Sequence, residues 1–173
     1  VDITIKQAKA LENSLKTVDS DDEFRVFISM RYWHPMSLET IDQVEEYNPD
    51  VIVLVPLYPQ FSITTTGSSF TDWKNSAQRK NLKRPTYSIC CYHLQNDWIK
   101  AQSDLLAEEL KQFSKPEKVK VLFSAHSLPK SIIKKGDPYQ FQVEESAKAI
   151  AQKTKLLPNL WEICYQSKVG PMQ

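Results

Sequence analysis

Short apolar segments alternate with helical periods along most of the chain, and this alternation restricts the fold more than any other feature of the sequence. Five segments rich in β-branched and aromatic residues predict strands, at residues 24–30, 51–56, 86–91, 119–124 and 160–167. Apolar residues at helical spacing predict helices at residues 5–15, 37–47, 71–80, 96–113 and 140–153. Strands and helices that alternate in this way predict an α/β fold with parallel sheets and right-handed crossovers.

The domain organisation is predicted from composition along the chain. Residues 51–56, VIVLVP, are apolar throughout, which is typical of a strand covered on both faces. The polar, basic stretch 75–85 predicts a break between two lobes, residues 1–85 and 86–173. The three glycines, Gly67, Gly136 and Gly170, each follow a predicted strand, where parallel sheets bind their ligands, although simple turn chemistry explains each of them equally well.

The charge balance and the cysteine content exclude several classes of protein. The chain has 22 Lys and Arg residues against 21 Asp and Glu residues, and its net charge of +1 gives no electrostatic case for nucleic acid or an acidic membrane surface. The longest apolar run, residues 51–57, is far shorter than the roughly 20 residues that span a bilayer. The three cysteines form no CxxC pair, and their apolar neighbours predict reduced core thiols in a cytoplasmic protein.

One of only three histidines, His126, lies where the predicted strand 119–124 must end, ahead of a Leu-Pro stop. In a parallel α/β sheet this carboxyl end is where ligands bind. A neutral imidazole there can accept a proton or ligate a metal, and Ser124 or Ser127 could orient its ring. The alternative is a histidine that is hydrogen-bonded at a strand end for structural reasons alone.

Other catalytic patterns do not occur in the sequence. Ser-x-His-Ser lacks the G-x-S-x-G elbow, and its serines are too close to the histidine along the chain to form a triad with it. The sequence contains no zinc-type cluster, phosphate-binding loop or dinucleotide fingerprint. The residues alone therefore predict an α/β protein with a candidate base or metal ligand at the carboxyl edge of a sheet.

Five motifs follow one another along nearly the whole chain: MRYWHP (30–35), YPQFSITTTGSS (58–69), FSAHSLP (123–129), GDPY (136–139) and YQSKVGPM (165–172). In this order they closely resemble the ferrochelatase family, whose members insert ferrous iron into a porphyrin to make haem. The resemblance implies two Rossmann-like lobes with parallel sheets and a porphyrin cleft between them. Family members begin earlier and continue beyond the GPM segment, so the resemblance also implies that this sequence covers the middle of a longer enzyme.

The resemblance implies a lyase that inserts Fe²⁺ into protoporphyrin IX, with release of two protons, as the last step of haem biosynthesis. Both reactants would be substrates, with no permanently bound cofactor and no nucleic-acid partner; peripheral membrane association and oligomeric state stay open. Two alternatives remain: a related chelatase for another metal or tetrapyrrole, such as cobalt or a coproporphyrin, and a non-catalytic haem- or porphyrin-binding protein.

His126 matches the active-site histidine of the family, so the resemblance implies that it is the base or the metal ligand, with the choice between them open. The family pairs this histidine with a glutamate beyond the GPM segment, in a stretch that this sequence does not contain. Glu144 and Glu145 are expected to be surface charges on a helix instead, and His34 and His93 to be structural.

The resemblance also implies a set of substrate contacts. Arg31 and Tyr32 match pocket positions, where Arg31 could pair with a porphyrin propionate and Tyr32 offers a ring face and a hydroxyl. Tyr58 matches another pocket position. Ser167 is favoured as a porphyrin or propionate contact, and Lys168 as an electrostatic aid.

Ile63 is a departure from part of the family. Members with an iron–sulfur cluster have a cysteine directly after YPQ(Y/F)S, where this sequence has Ile63. Because loss of one thiolate ligand should prevent an ordinary four-cysteine cluster, we expect no iron–sulfur cluster.

Overall fold

The computed structural model describes residues 2–18 and 21–167 of the chain. The helices of this part are α1 Asp2–Leu15, α2 Ser37–Tyr47, α3 Ser68–Lys80, α4 Asn96–Leu110, α5 Lys130–Lys134 and α6 Tyr139–Lys153. Its strands are β1 Ile52–Leu54, β2 Thr86–Ser88, β3 Val121–His126 and β4 Trp161–Gln166. None of these helices is long and apolar enough to cross a bilayer. The predicted α/β class with parallel strands is confirmed.

The chain forms two compact units, each with a two-stranded parallel sheet. Among the described residues, the first unit runs to Leu54 and resumes over Gly67–Ser88, and the second comprises Val55–Thr66 and residues 89–167. This division departs from the predicted lobes, 1–85 and 86–173, chiefly at Val55–Thr66. That segment belongs to the second unit because it is hydrogen-bonded to α6 and to the turn before α6.

The first unit is built on the parallel pair β1–β2, in which Ile52 lies opposite Thr86 and Leu54 opposite Ser88. Helices α2 and α3 pack against each other beside this pair, because each has an apolar stripe at helical spacing. The core consists of Ile41, Val44, Ile52 and Trp73, with Phe27, Leu54, Ala77 and Leu82 packed against it. Ile41 is 0% exposed, and burying such a side chain stabilises the unit by about 1.5–3 kcal/mol.

Of two strand predictions in the first unit, the one for residues 24–30 is wrong, and the one for residues 51–56 is right about a strand, β1, but not about its cover on both faces. Residues 24–30 contain no strand, and their one strand-like pairing is the isolated bridge between Met30 and Met36. Residues 51–56 are not covered on both faces within the described part of the chain, since Val53 is 53% exposed while Ile52 is buried. An apolar, β-branched run indicates only that the segment suits a pleated sheet. Whether it forms a strand, and whether both of its faces are buried, depends on partner strands and covering layers elsewhere in the chain.

The stretch TTTGSS (64–69), which precedes the predicted helix 71–80, is helical. A π-helical turn at Ile63–Gly67 leads directly into α3, which begins at Ser68 rather than at the predicted residue 71. Gly67 has φ −61°, an ordinary helical value, so the glycine is not required here for a left-handed turn. Thr71 Oγ1 donates to the Gly67 carbonyl at 2.9 Å.

The second unit is built on β3 and β4, which pair in parallel from Val121–Trp161 to His126–Gln166. The rings of Phe123 and Trp161 meet edge to face at 5.7 Å. Helix α4 packs against α6, and α6 also contacts β4. The buried apolar residues of these helices are Ile99, Val143, Ala147, Ile150 and Ala151.

The ends of two elements in the second unit differ from prediction. Helix α4 begins at Asn96 as predicted, with Gln95 as its N-cap, whose Oε1 accepts the Trp98 N–H at 2.8 Å, but it ends at Leu110 rather than at residue 113. Strand β3 extends to His126 instead of ending at Ser124, because its pairing with β4 continues to Gln166.

All three cysteines are free thiols, but they are not all in the core. Cys90 is exposed, and Cys91 and Cys164 are half-buried, so the prediction of core thiols is wrong for Cys90. β2 ends at Ser88 rather than at the predicted residue 91, so Cys90 and Cys91 lie outside the strand. Partial burial, and then contact with the Cys91 thiol, raises the pKa of Cys90.

Candidate active site

His126 is the last residue of β3, at the carboxyl end of its parallel pairing with β4. Side chains along β3 alternate between half-buried and exposed, and His126 shares the exposed face with Leu122 and Ser124. After His126 the chain leaves the sheet and reaches Pro129, the N-cap of α5. The imidazole is therefore solvent-accessible at the sheet edge where α/β folds bind their ligands.

One contact of the His126 ring distinguishes its two neutral tautomers. The Nδ1 atom lies 2.9 Å from the backbone carbonyl oxygen of Ser127. A carbonyl oxygen only accepts hydrogen bonds, so this contact favours the neutral tautomer with the proton on Nδ1. Nε2 is then the unprotonated nitrogen of the neutral ring, with a lone pair available to a proton or a metal ion.

Ser127 links the carboxyl ends of the two strands. Its backbone N–H donates to the Gln166 carbonyl at 2.8 Å, which extends the ladder by one residue beyond His126. Its Oγ donates to the Ser167 carbonyl, also at 2.8 Å. Ser167 has φ +58°, in the left-handed region that non-glycine residues rarely occupy, so this bond holds β4's end in an unusual turn.

Three tyrosines lie next to this end of the sheet. Burial raises the pKa of Tyr139, the nearby backbone of His126 lowers it in part, and neighbouring Tyr58 raises it. Burial also raises the pKa of Tyr165, with smaller contributions from Glu144 and Tyr139. Tyr139 and Tyr165 are therefore neutral hydrogen-bonding groups near neutral pH.

Asp137 joins the loop ahead of the π-helical turn to the start of α6. The side chain is buried, with the residue 5% exposed. Its Oδ2 accepts from Ser62 Oγ at 3.0 Å and from the Ile63 N–H at 2.8 Å, and its Oδ1 accepts from the Tyr139 N–H at 3.0 Å. Gly136 precedes it at φ +92°, a conformation that glycine adopts without strain.

Two glutamine side chains strengthen the same connection. The Phe61 N–H donates to Gln142 Oε1 at 2.7 Å, and Gln60 Nε2 donates to Ser146 Oγ at 3.0 Å. The loop that carries Tyr58 is thus held on α6 along most of its length, and the Tyr58 side chain itself is 58% exposed.

The first unit contains a second cluster of predicted site residues, around Arg31. The guanidinium donates from Nε to Ser68 Oγ at 2.9 Å, and its Nη1 lies 3.7 Å from Asp72 Oδ1. Asp72 also accepts from Ser37 Oγ at 2.7 Å. The Arg31 guanidinium stacks over the Tyr32 ring, 4.7 Å from its centroid, and Tyr32 is 74% exposed.

The predicted site residues thus fall into two groups. In the second unit, the structure brings Tyr58 and Ser167 close to His126, through Tyr139 and Ser127 respectively. In the first unit, Arg31 and Tyr32 contact each other. Lys168 lies outside the described residues.

Sequence reasoning missed the residues that hold these groups in place. Tyr139 and Asp137 lie within the GDPY motif, so the motif marked the right segment without indicating which contacts it makes. Asp72 had no distinguishing signal, because a single carboxylate on a polar helix is common. The orienting group on His126 is the Ser127 carbonyl, and Ser124 makes no hydrogen bond with the ring within the described residues.

The other two histidines are paired with carboxylates. His34 Nδ1 lies 2.8 Å from Glu39 Oε2, and the backbone N–H of Met36, followed by His34, lowers the pKa of Glu39. His93 Nε2 lies 3.1 Å from Glu145 Oε2. Glu145 is therefore not simply a surface charge, since this contact leaves its side chain only 34% exposed.

Within residues 2–18 and 21–167, no group of three or more His, Cys, Asp or Glu side chains is arranged to hold a metal ion. An incoming metal ion would meet a single open imidazole nitrogen at His126.

Comparison with known proteins adds to this geometry. A model of the ferrochelatase family matches residues 1–173. The chain is 48% identical over 170 residues to the ferrochelatase of Wolbachia sp. subsp. Drosophila simulans (strain wRi), a match that covers 98% of this chain and 54% of that protein. It is 46% identical over 170 residues to the ferrochelatase of Rickettsia bellii (strain OSU 85-389), with 98% and 46% covered.

A third relative gives the same picture: the chain is 44% identical over 171 residues to the ferrochelatase of Caulobacter vibrioides (strain NA1000 / CB15N), with 98% and 48% covered. The chain spans about half the length of the curated relatives it matches. The family model extends over the motifs that carry His126, Arg31 and Tyr58. The chain therefore belongs to the ferrochelatase family.

Proposed function

We propose that the protein is a ferrochelatase, which inserts Fe²⁺ into protoporphyrin IX and releases two protons to form protohaem. Membership of the family and relatives that carry this name at 44–48% identity support the proposal. The observation that carries it is the state of His126: an exposed imidazole at a sheet edge, with Nδ1 hydrogen-bonded to the backbone and Nε2 open.

The reaction sets demands that this imidazole meets. The two inner N–H protons of the porphyrin must leave, and the ferrous ion must lose water before four ring nitrogens bind it. The Nε2 lone pair of His126 either accepts a pyrrole proton or binds the arriving ferrous ion as substrate. Both roles need Nε2 unprotonated, and in the neutral ring the contact of Nδ1 with the Ser127 carbonyl favours the tautomer that leaves Nε2 open.

Each unit offers groups for the porphyrin. In the first, Arg31 uses Nε and Nη1 for Ser68 and Asp72, and its other terminal N–H groups serve a propionate. The exposed ring of Tyr32 provides an apolar face for the macrocycle.

In the second unit, Tyr58 and Ser167 are the proposed porphyrin contacts. Tyr58 is exposed on a loop that hydrogen bonds hold on α6, and Ser167 follows β4 directly beside Ser127. Lys168 adds positive charge next to Ser167 in the sequence.

The enzyme is proposed to work without a permanently bound cofactor and without an iron–sulfur cluster, because Ile63 replaces the cysteine of cluster-containing members. Its free thiols favour the cytoplasm as its location. The substrates, Fe²⁺ and protoporphyrin IX, are its proposed partners.

The test is anaerobic haem formation from Fe²⁺ and protoporphyrin IX by the intact protein and its His126→Ala variant. Loss of general-base catalysis typically costs a hundredfold to ten-thousandfold, so we expect kcat to fall by about that range. His34→Ala is the matched control, because the His34 side chain is 67% exposed and pairs with Glu39. This control should retain wild-type turnover.

Three outcomes would contradict the proposal. Undiminished turnover in His126→Ala would show that His126 is neither the general base nor the metal ligand. Tight porphyrin binding without product in the wild type would indicate a carrier instead. Faster insertion of cobalt than of iron, or a preference for a coproporphyrin, would indicate a related chelatase.

A further inference from the structure

Ser127 uses each of its polar groups at the end of the β3–β4 pair. Its N–H donates to Gln166, its Oγ donates to Ser167, and its carbonyl accepts from His126 Nδ1. The first two bonds fix the residue to β4, and the third connects it to the candidate catalytic ring. A single residue therefore couples the ring of His126 to the position of the neighbouring strand.

The carbonyl contact decides which nitrogen of His126 is open. In water a neutral histidine side chain favours the proton on Nε2, which would leave Nε2 without a lone pair for the substrate. The Ser127 carbonyl reverses this preference because it can only accept, so it stabilises the ring with the proton on Nδ1. This reversal requires that the carbonyl stay pointed at the ring.

The hydroxyl keeps residue 127 in that orientation. Ser167, whose carbonyl it binds at 2.8 Å, sits at φ +58°, a strained conformation for a residue with a Cβ. The bond stabilises this turn and, through it, the backbone of Ser127. Without the Oγ, both the turn at Ser167 and the carbonyl that faces His126 gain freedom.

Ser124 is unsuited to the same task. It lies two residues before His126 on the same exposed face, and successive residues of a strand rise about 3.3 Å each, so the two Cα atoms are about 7 Å apart. Ser124 is therefore a matched control: it has the residue type of Ser127, and it shares strand β3 and its exposed face with His126.

We propose that Ser127 is a positioning residue: it holds His126 with the proton on Nδ1 and Nε2 open, and it fixes the turn that carries Ser167. The kinetic consequence rests on the proposed function, whereas the tautomer does not. The two parts can therefore be tested separately.

The first measurement is the tautomer of His126 in the intact protein, from the ¹⁵N shifts of its ring nitrogens at a pH where the ring is neutral. His126→Gln assigns the signal. The wild type should show a protonated Nδ1 and an unprotonated Nε2. In Ser127→Ala the signals should move toward the Nε2-protonated form, in Ser127→Thr they should stay, and in Ser124→Ala they should not change.

The second measurement is steady-state haem formation by the same variants. Removal of one net hydrogen bond corresponds to about a two- to tenfold effect, so kcat should fall by that factor in Ser127→Ala while KM for the porphyrin stays the same. Ser127→Thr, which retains the hydroxyl, should restore kcat. Ser127→Cys has a side chain of similar size with a weaker donor, so its kcat should lie between those of Ser127→Ala and Ser127→Thr. It replaces Ser127→Ala if that variant does not fold.

The outcomes separate the two proposals. A wild-type ring protonated on Nε2 overturns the positioning role, and so does a folded Ser127→Ala variant with wild-type tautomer and kcat. A tautomer that shifts in Ser127→Ala, in a protein whose wild type forms no haem, supports the positioning role and refutes the proposed ferrochelatase activity instead.

Discussion

Substitution of Asp137 by alanine removes the acceptor of three hydrogen bonds at a site that is 5% exposed. Ser62 Oγ retains a second partner, Thr64 Oγ1 at 2.8 Å, so the loss falls mainly on the backbone N–H groups of Ile63 and Tyr139. A buried donor left without an acceptor costs about 1–3 kcal/mol. Allowing for water that reaches the vacated space, we expect the free energy of unfolding to fall by about 2–4 kcal/mol.

Asp137→Asn sharpens the prediction because it keeps the shape of the side chain. The amide has one acceptor oxygen, so its NH₂ group must face either the Ile63 or the Tyr139 N–H, donor against donor. We expect a loss of about 1–3 kcal/mol, the cost of one unsatisfied buried donor. Asp104→Ala is the matched control, because Asp104 is an exposed carboxylate paired only with Lys100 among the contacts of the described residues, and its unfolding midpoint should not change.

Urea unfolding followed by circular dichroism gives the free energies, and hydrogen exchange of the Ile63 and Tyr139 amides gives a local measurement at the two atoms concerned. Both amides should exchange faster in Asp137→Ala, and their exchange rates should not change in Asp104→Ala. If Asp137→Ala unfolds at the wild-type urea concentration and both amides keep their protection, Asp137 does not hold the loop on α6.

Three further predictions concern the site. Tyr139→Phe removes a hydroxyl that lies next to the backbone of His126, so kcat should fall about two- to tenfold, as measured by haem formation. Asp72→Asn weakens the hold on Arg31, so KM for protoporphyrin should rise up to about fivefold with kcat retained in steady-state assays, since a half-exposed ion pair is weak. Burial raises the pKa of Tyr139 and of Tyr165 above the ordinary value of 10.0, so the unfolded chain loses these protons at a lower pH than the folded chain does. The contribution of the two neutral hydroxyls to stability is therefore complete below about pH 10 and is lost as the pH rises through the folded pKa values. Denaturant unfolding of the wild type and of Tyr139→Phe along a pH series checks this expectation.

The contrast between residues 24–30 and residues 51–56 shows which part of the fold could not be predicted, namely whether a strand-like segment finds a partner strand. Both segments are apolar and both were predicted as strands, yet only the second contains one, Ile52–Leu54. The difference is a partner: Ile52 pairs with Thr86, 34 residues further along the chain by their numbering, while residues 24–30 pair through the single bridge at Met30. A short apolar run carries no information about whether such a partner is present.

For the candidate site, too, the sequence did not indicate which distant residues make contact. The motifs marked His126, Tyr58 and Arg31 as groups with suitable chemistry, and their roles remain proposals. The groups that orient them come from elsewhere in the chain: Asp137 binds Ser62, 75 residues away, and Ser127 binds Ser167, 40 residues away. Neither pair has a spacing or composition that a reader of the sequence could recognise.

Local sequence was sufficient for the alternation of strands and helices, the apolar face of each helix, the α/β class and the family, because these depend on backbone repeats of 2 and 3.6 residues and on contiguous motifs. Only the folded chain decided that Val55–Thr66 joins the second unit, that Asp137 holds this segment, and that the Nδ1 atom of His126 faces the Ser127 carbonyl. Each of these depends on hydrogen bonds whose donors and acceptors are brought within about 3 Å by packing. The sequence order of such groups does not indicate which of them will meet, because that depends on the positions of whole strands and helices.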